Sequence, residues 1–197
     1  ALMHNREIIP EEDNLYLTDW MAEEAINFIK KQDEDPFFLY VAFNAVHTPM
    51  HATPEDLSKF PEIENKKRKK LAGMTLALDR AVGNILDTVH DEGLDEKTII
   101  FFLNDNGGAT INASNNGPLR GMKGSKWEGG IRVPFVVSWK NHFTTQRYNS
   151  PVSSLDIAAT AIKNAGGEVS DDLDGVDLSP YFDETVLSQL QPHLSLY

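Results

Sequence analysis

Three short polar stretches carry residue types that can do chemistry. Asp105 and Asn106 stand together in NDNGG, directly after an apolar run, and offer a carboxylate and an amide carbonyl. Hard oxygen donors of this kind suit Ca²⁺ or Mg²⁺ better than zinc. Gly107 and Gly108 let the backbone turn sharply behind them. Lys123 lies in RGMKGSK between glycines that leave little to shield it, so its ammonium can reach a bound anion, helped by the loop's backbone donors. His47 stands in VHTP with Pro49 fixing the chain after it. Imidazole can donate a proton to a leaving group or stabilise an anion near neutral pH. Each has a plainer reading: residues 105–108 as an Asn-Gly turn, Lys123 as a solvated loop lysine, His47 as a satisfied structural histidine. His51 reads as ordinary.

For these residues to act they must be held, and the chain around them alternates helix and strand. A helix is predicted over 18–31, with Thr18 as its cap and Trp20, Ala25, Ile26 and Ile29 at helical spacing. Residues 36–43, PFFLYVAF, are a nearly unbroken apolar run that reads as a strand buried on both faces. A second helix is predicted over 67–90. Its apolar stripe is Leu71, Met74, Leu78, Val82, Ile85, Leu86 and Val89, and Gly93 is its stop. Strands follow over 98–103 and 133–139, then a short helix over 154–164 ended by Gly166 and Gly167. This order predicts an α/β domain with right-handed crossovers and a largely parallel sheet. In such sheets ligands bind outside the carboxyl ends of the strands. The polar loop after residue 43 and the one after residue 103 both leave such ends, so they are expected to meet over one site.

The 197 residues suit one domain, 1–197, long enough to bury a core. With 41% hydrophobic and 24% charged residues the composition is globular rather than disordered. No apolar stretch approaches the roughly 20 residues of a membrane helix, so no membrane partner is expected. A net charge of −12 argues against nonspecific nucleic-acid binding, and KKRKK at 66–70 reads as a solvated helix start. The absence of cysteine removes disulfides, thiolate metal sites and a cysteine nucleophile within the 197 residues. There is no Gly-x-Ser-x-Gly elbow, no GxxxxGK[ST] loop and no GxGxxG after a strand. DDLDGVDL at 171–178 lacks EF-hand spacing and reads as a solvated turn, and Asn112-Ala113-Ser114 is a glycosylation sequon. ALMHNREIIPEEDN lacks the apolar centre of a signal peptide, and PHLSLY stops without a cap or turn signal; both ends are expected to be cut.

The motifs are more specific in combination. YLTDWMAEEAINFI, DPFFLYVAFNAVHTP, ALDRAVGNILD, TIIFFLNDNGG, GPLRGMKGSKWEGGIRVPFVVSW, SSLDIAATAIKNAG and DLDGVDLSPYF follow one another as they do in the sulfatase family, and the chain resembles these formylglycine-dependent sulfuric ester hydrolases over nearly its whole length. The resemblance implies an alkaline-phosphatase-like sandwich with a largely parallel central sheet flanked by helices. It also implies a sulfate ester substrate and a periplasmic or secreted setting. Carried over residue by residue, it makes Asp105 and Asn106 ligands of a divalent metal, usually Ca²⁺. His47 then contacts the sulfate and the leaving oxygen, and Lys123 contacts the sulfate. A hydrated formylglycine attacks sulfur in this family. Arg120, Glu128 and Arg132 match as well and read as loop-holding ion pairs, and Asp79 as structural. Trp127, Lys126 and residues 110–116 are expected at the substrate entrance.

The departures matter as much. The nucleophile motif, Cys or Ser followed by x-Pro-x-Arg, has no match in the 197 residues, nor have the early aspartate pair and the Lys-x-His motif of the family. These belong to the amino-terminal part of a sulfatase. The chain is therefore expected to be a carboxyl-side piece of the catalytic domain, its sheet incomplete and inactive alone, with an uncovered apolar face that favours self-association. The rival readings are a phosphodiesterase or phosphonate hydrolase of the same superfamily, and a non-catalytic scaffold.

Overall fold

The computed structural model describes residues 3–9, 15–32 and 35–182; the acidic stretch 10–14 and the PHLSLY end lie outside the described residues. In chain order the elements are β1 (Met3–His4), β2 (Glu7–Ile8), α1 (Leu17–Lys30), α2 (Pro54–Ser58), α3 (Lys66–Asp91), β3 (Ile100–Leu103), α4 (Glu128–Ile131), β4 (Phe135–Ser138) and α5 (Asp156–Asn164). They fall into two compact units. One comprises Ala1–Gly93 with Asn104–Val133, the other Leu94–Leu103 with Pro134–Tyr197.

In the first unit α3 packs against α1 and α2. The buried face of α1 is Thr18, Ala22, Ala25 and Ile29, and that of α3 includes Leu71, Met74, Ala77, Ala81 and Val89. Small residues on both faces allow close helix approach, which sets the buried stripe of α3 onto its alanines. Leu78, Val82 and Ile85, expected in the stripe, are only half-buried, and Leu86 is exposed. Thr18 does not cap α1. It lies inside the helix, buried, while Tyr16 holds the cap position and sends its hydroxyl elsewhere. Asn65 caps α3, its side chain accepting from the backbone N–H groups of Lys67 and Arg68, and Gly93 ends the helix region at φ +68°.

An ion network that sequence reasoning missed ties these three helices together. Arg80 of α3 donates to Asp56 of α2 at 2.7 Å and to Asp19 of α1 at 3.1 Å. Asp56 is buried, and Thr53 both caps α2 and donates its hydroxyl to the same carboxylate at 2.8 Å. The Arg80 bond, reinforced by Thr53, outweighs burial and holds the Asp56 carboxyl below the ordinary carboxylate range. A lowered folded pKa means the unfolded state binds more protons as acid is added. The stabilisation from Asp56 is then complete above its unfolded pKa, about 3.9, and is lost as pH falls through the lower folded value. Because the Arg80 side chain is 41% exposed, Asp56→Asn is expected to cost about 2 kcal/mol near neutral pH, below the usual figure for breaking a buried pair. Denaturant unfolding of both proteins, repeated at acidic pH, checks this: the gap narrows in acid, and a gap constant with pH would remove the ion pair as its cause.

Residues 36–43 depart from expectation. They are extended but form no strand pair among the described residues. Phe37, Leu39, Val41 and Phe43 alternate as the half-buried set, with Phe37 edge-on to Phe28 of α1 at 5.7 Å, whereas Phe38 and Tyr40 are 76% and 79% exposed. An apolar run shows that both faces want cover. It does not supply the neighbouring strands.

In the second unit β3 pairs with β4 antiparallel, Phe101 opposite Val137 and Leu103 opposite Phe135. The parallel arrangement inferred from element order is not the pairing of these two strands, since the connection between them is a long loop rather than a crossover helix returning to the same edge. α5 anchors the acidic stretch read as a solvated turn. Asp156 accepts from the backbone N–H of Val176 at 2.9 Å, and Thr160, fully buried, accepts from that of Leu178 at 2.9 Å. Residues 171–174 and Val176 are exposed, while Gly175 and Leu178 are buried.

Candidate functional site

All four predicted site residues lie in the first unit. His47 sits in the loop between the extended segment 36–43 and α2, and that loop is tied at several points. The Tyr16 hydroxyl donates to the carbonyl of His51 at 3.1 Å, with the two rings edge to face at 5.5 Å, so His51 is structural as expected. The His47 N–H donates to the Asn44 carbonyl at 2.8 Å, and the Asn112 amide donates to the Val46 carbonyl at 3.2 Å. The His47 ring donates from Nδ1 to the Thr48 carbonyl at 2.6 Å. A carbonyl can only accept, so Nδ1 carries the proton and Nε2 presents a lone pair.

The glycine-rich loop is built by backbone layers lying against one another. Gly107 N–H donates to the Gly130 carbonyl at 2.9 Å, and Gly129 N–H to the Arg120 carbonyl at 2.7 Å. A Cβ on Gly107 would stand under 3.0 Å from the Gly129 carbonyl, and one on Gly129 under 3.0 Å from that of Gly121. Gly107 therefore serves close approach, not the sharp turn expected of it, and it has no positive φ. The left-handed glycines of this loop are Gly121 and Gly124, at φ +95° and +84°, on either side of Met122 and Lys123. The Asn116 amide grips Gly108 at both ends, accepting from its N–H and donating to its carbonyl at 2.8 Å each. The Lys123 N–H reaches the same carbonyl at 3.2 Å. Asn116 thus joins the segment that carries Asp105 and Asn106 to the one that carries Lys123, a role not visible in the sequence.

The two loops meet at their functional side chains. Lys123 Nζ donates to His47 Nε2 at 3.0 Å across 76 residues of chain, and both side chains are exposed. An ammonium and an imidazole side by side in an open position form a cationic seat with a proton-accepting nitrogen next to it, suited to a tetrahedral anion carrying an ester oxygen.

Asp105 and Asn106 occupy the bend just before Gly107, Asp105 exposed and Asn106 half-buried. Among the described residues neither side chain is engaged in a hydrogen bond or ion pair, so their oxygens are free to ligate. No group of three or more His, Asp or Glu that could hold a metal ion occurs among the described residues. Ca²⁺ takes about six to eight oxygens, so the pair fits the ion as one part of a larger set. Of the residues expected to form loop-holding ion pairs, Glu128 and Arg132 do pair, at 3.3 Å on an exposed helical turn, where such a contact contributes little. Arg120 instead lies over the Trp127 ring, 3.9 Å from its centroid.

KKRKK is more than a solvated helix start. Lys67 Nζ donates to the Ile111 carbonyl at 3.3 Å and Arg68 to that of Ala113 at 3.0 Å, clamping the 3-10 turn Thr110–Asn112 against the start of α3. Basic side chains are unfavourable at a helix N-terminus, and these two carbonyl bonds offset part of that.

The sulfatase family profile matches residues 3–167. The dog N-acetylgalactosamine-6-sulfatase is 34% identical over 173 residues, covering 83% of this chain and 32% of that protein. Human arylsulfatase H is 35% identical over 191 residues, covering 91% and 33% respectively. The chain thus spans about a third of the length of these relatives. A crystal structure of Ps i-CgsB in complex with k-i-k-neocarrahexaose superposes with a TM-score of 0.86 at 42% identity, covering 91% of this chain and 41% of that one. The PsFucS1 sulfatase from Pseudoalteromonas sp. superposes at 0.74 with 25% identity, covering 83% and 34%. More distant sulfatase structures share the same alkaline-phosphatase-like fold. A profile spanning most of the chain, with relatives above 30% identity along four-fifths of it, makes this chain a member of the sulfatase family.

Proposed function

We propose that these 197 residues supply the sulfate-binding and proton-transfer half of a sulfatase site that hydrolyses a sulfate ester on a sugar. The observation that carries this reading is the 3.0 Å approach of Lys123 Nζ to His47 Nε2 from two separate loops. The names of the relatives support the substrate class: one is an N-acetylgalactosamine-6-sulfatase, and Ps i-CgsB was crystallised with k-i-k-neocarrahexaose.

Lys123 binds and neutralises sulfate oxygens, on which negative charge must be held as the ester bond breaks. As those oxygens accept hydrogen bonds from the ammonium, Nε2 of His47 is released from it and turned to the bridging oxygen. With Nδ1 committed to Thr48, Nε2 is the nitrogen that faces the departing oxygen: it takes a proton from solvent, which makes the ring imidazolium, and passes that proton to the oxygen as the sulfur–oxygen bond breaks, returning to its bare form. Asp105 and Asn106 would hold Ca²⁺, or Mg²⁺, together with ligands from outside this chain's own pair; when bound, the cation draws charge from the sulfate. The formylglycine nucleophile has no matching motif in these residues and is assigned to a further segment of a longer polypeptide.

The isolated 197-residue chain is accordingly expected to release no sulfate from an aryl sulfate, whereas the complete enzyme, in which it is joined to the formylglycine segment, turns over. Ion chromatography of released sulfate tests both arms. Release by the isolated chain above a Lys123→Met control would overturn the division of the site.

A further inference from the structure

We infer that Asn112 is a positioning residue that sets the His47 imidazole for proton transfer, acting through the peptide plane that precedes it. The inference takes His47 as the proton-transferring group of the proposed reaction and so rests on that reading.

The peptide between Val46 and His47 has both polar groups engaged. Its N–H donates to the Asn44 carbonyl at 2.8 Å, and its carbonyl accepts from Asn112 Nδ2 at 3.2 Å. A plane held at both ends fixes the direction in which the His47 Cα projects its ring, and the ring can then reach Thr48 with Nδ1 and Lys123 with Nε2 at once. The first of these holds is local. The second comes from 66 residues away and decides how the loop faces the Lys123 loop.

Asn112 is built for this. It is 7% exposed, and its Oδ1 accepts from the Ser114 hydroxyl at 2.7 Å and the Ser114 N–H at 3.3 Å, which leaves Nδ2 aimed at Val46. The turn that carries it is braced on the other side by Lys67 and Arg68 of α3. A rigid 26-residue helix is thereby coupled, through three polar bonds and one buried amide, to the backbone of the proton-transferring histidine. The basic run and the sequon, unassigned by the reaction itself, both belong to this brace. An amide whose oxygen is bonded within its own turn and whose nitrogen is bonded to Val46 is also no acceptor for a glycan in the folded protein.

The test reads the histidine directly. Nitrogen-15 NMR of His47 in the full 197-residue chain distinguishes its two ring nitrogens. In the unaltered protein one protonated Nδ1 signal and one well-separated bare Nε2 signal are expected. Asn112→Asp keeps the shape, replaces the donor with an acceptor and sets a carboxylate against the Val46 carbonyl. The Nδ1 and Nε2 signals are expected to move toward each other as the tautomers mix. Asn112→Ala, which buries no charge, covers the case in which the aspartate variant fails to fold and is expected to shift them the same way. Ser114→Ala removes the hydroxyl bond that orients the amide but keeps the Nδ2 donor, and is expected to shift the signals less than either Asn112 variant. Unchanged His47 signals in a folded Asn112 variant, or a shift in Ser114→Ala as large as that in Asn112→Ala, would overturn the inference. In the complete enzyme Asn112→Ala should lower kcat by up to about 10²-fold, the scale of a small misplacement of a reacting group, with KM little changed. The NMR result counts for or against Asn112 whether or not the enzyme proves to hydrolyse sulfate esters.

Discussion

Lys123→Met in the complete enzyme is expected to lower kcat by about 10²–10³-fold, the usual loss when one preorganised group facing developing charge is removed. Methionine keeps much of the length of the side chain and removes its charge, so the loss reads electrostatics rather than packing. The sulfate bears charge in the ground state as well, so KM should also rise. The fall in kcat separates charge held only in the transition state from uniform binding. Arginine is not expected to restore the rate. Its planar fork cannot stand where a compact ammonium meets His47 Nε2 at 3.0 Å. Steady-state kinetics with an aryl sulfate decides it: an unchanged kcat in Lys123→Met would place the residue outside the chemistry.

Gly107→Ala is expected to be the most damaging single-methyl change in the loop, costing about 3 kcal/mol, the upper range for overpacking. Its Cβ would meet the Gly129 carbonyl, which is backbone and cannot rotate away. The hydrogen bond from Gly107 to Gly130 must lengthen or break, and with it the layering that brings Lys123 to Gly108. Gly83 is the contrast, lying in α3 with nothing within 4 Å of a built Cβ. There alanine should stabilise by up to about 1 kcal/mol through helix propensity. Denaturant unfolding of the two variants should therefore shift in opposite directions, and a neutral Gly107→Ala would show that the loop yields.

What the sequence made legible follows from how local each cause is. Helices α1, α3 and α5 came from apolar spacing, with glycines marking the ends of the last two, and α3 ends close to where Gly93 required. Position 123 between glycines and a histidine at the end of an apolar run pointed to two loops, and their meeting is what Lys123 and His47 do. Asn112, Asn116 and the Asp19–Arg80–Asp56 network stayed hidden because nothing near them in sequence distinguishes them from surface polar residues. Their roles exist only once distant segments are side by side. The same limit explains residues 36–43 and the β3–β4 pair. Hydrophobicity marks a segment as extended and in need of cover, while neighbours and strand direction are set by the rest of the fold.

The division of roles between Lys123 and His47 is tested most directly by parallel assays on the complete enzyme. Sulfate release from an aryl sulfate is compared with phosphate release from the matching aryl phosphate, each with and without Lys123→Met. The proposed site predicts that the sulfate ester is the faster substrate and that its turnover is largely lost in Lys123→Met. Faster turnover of the phosphate ester, or sulfate release that survives Lys123→Met, would contradict it.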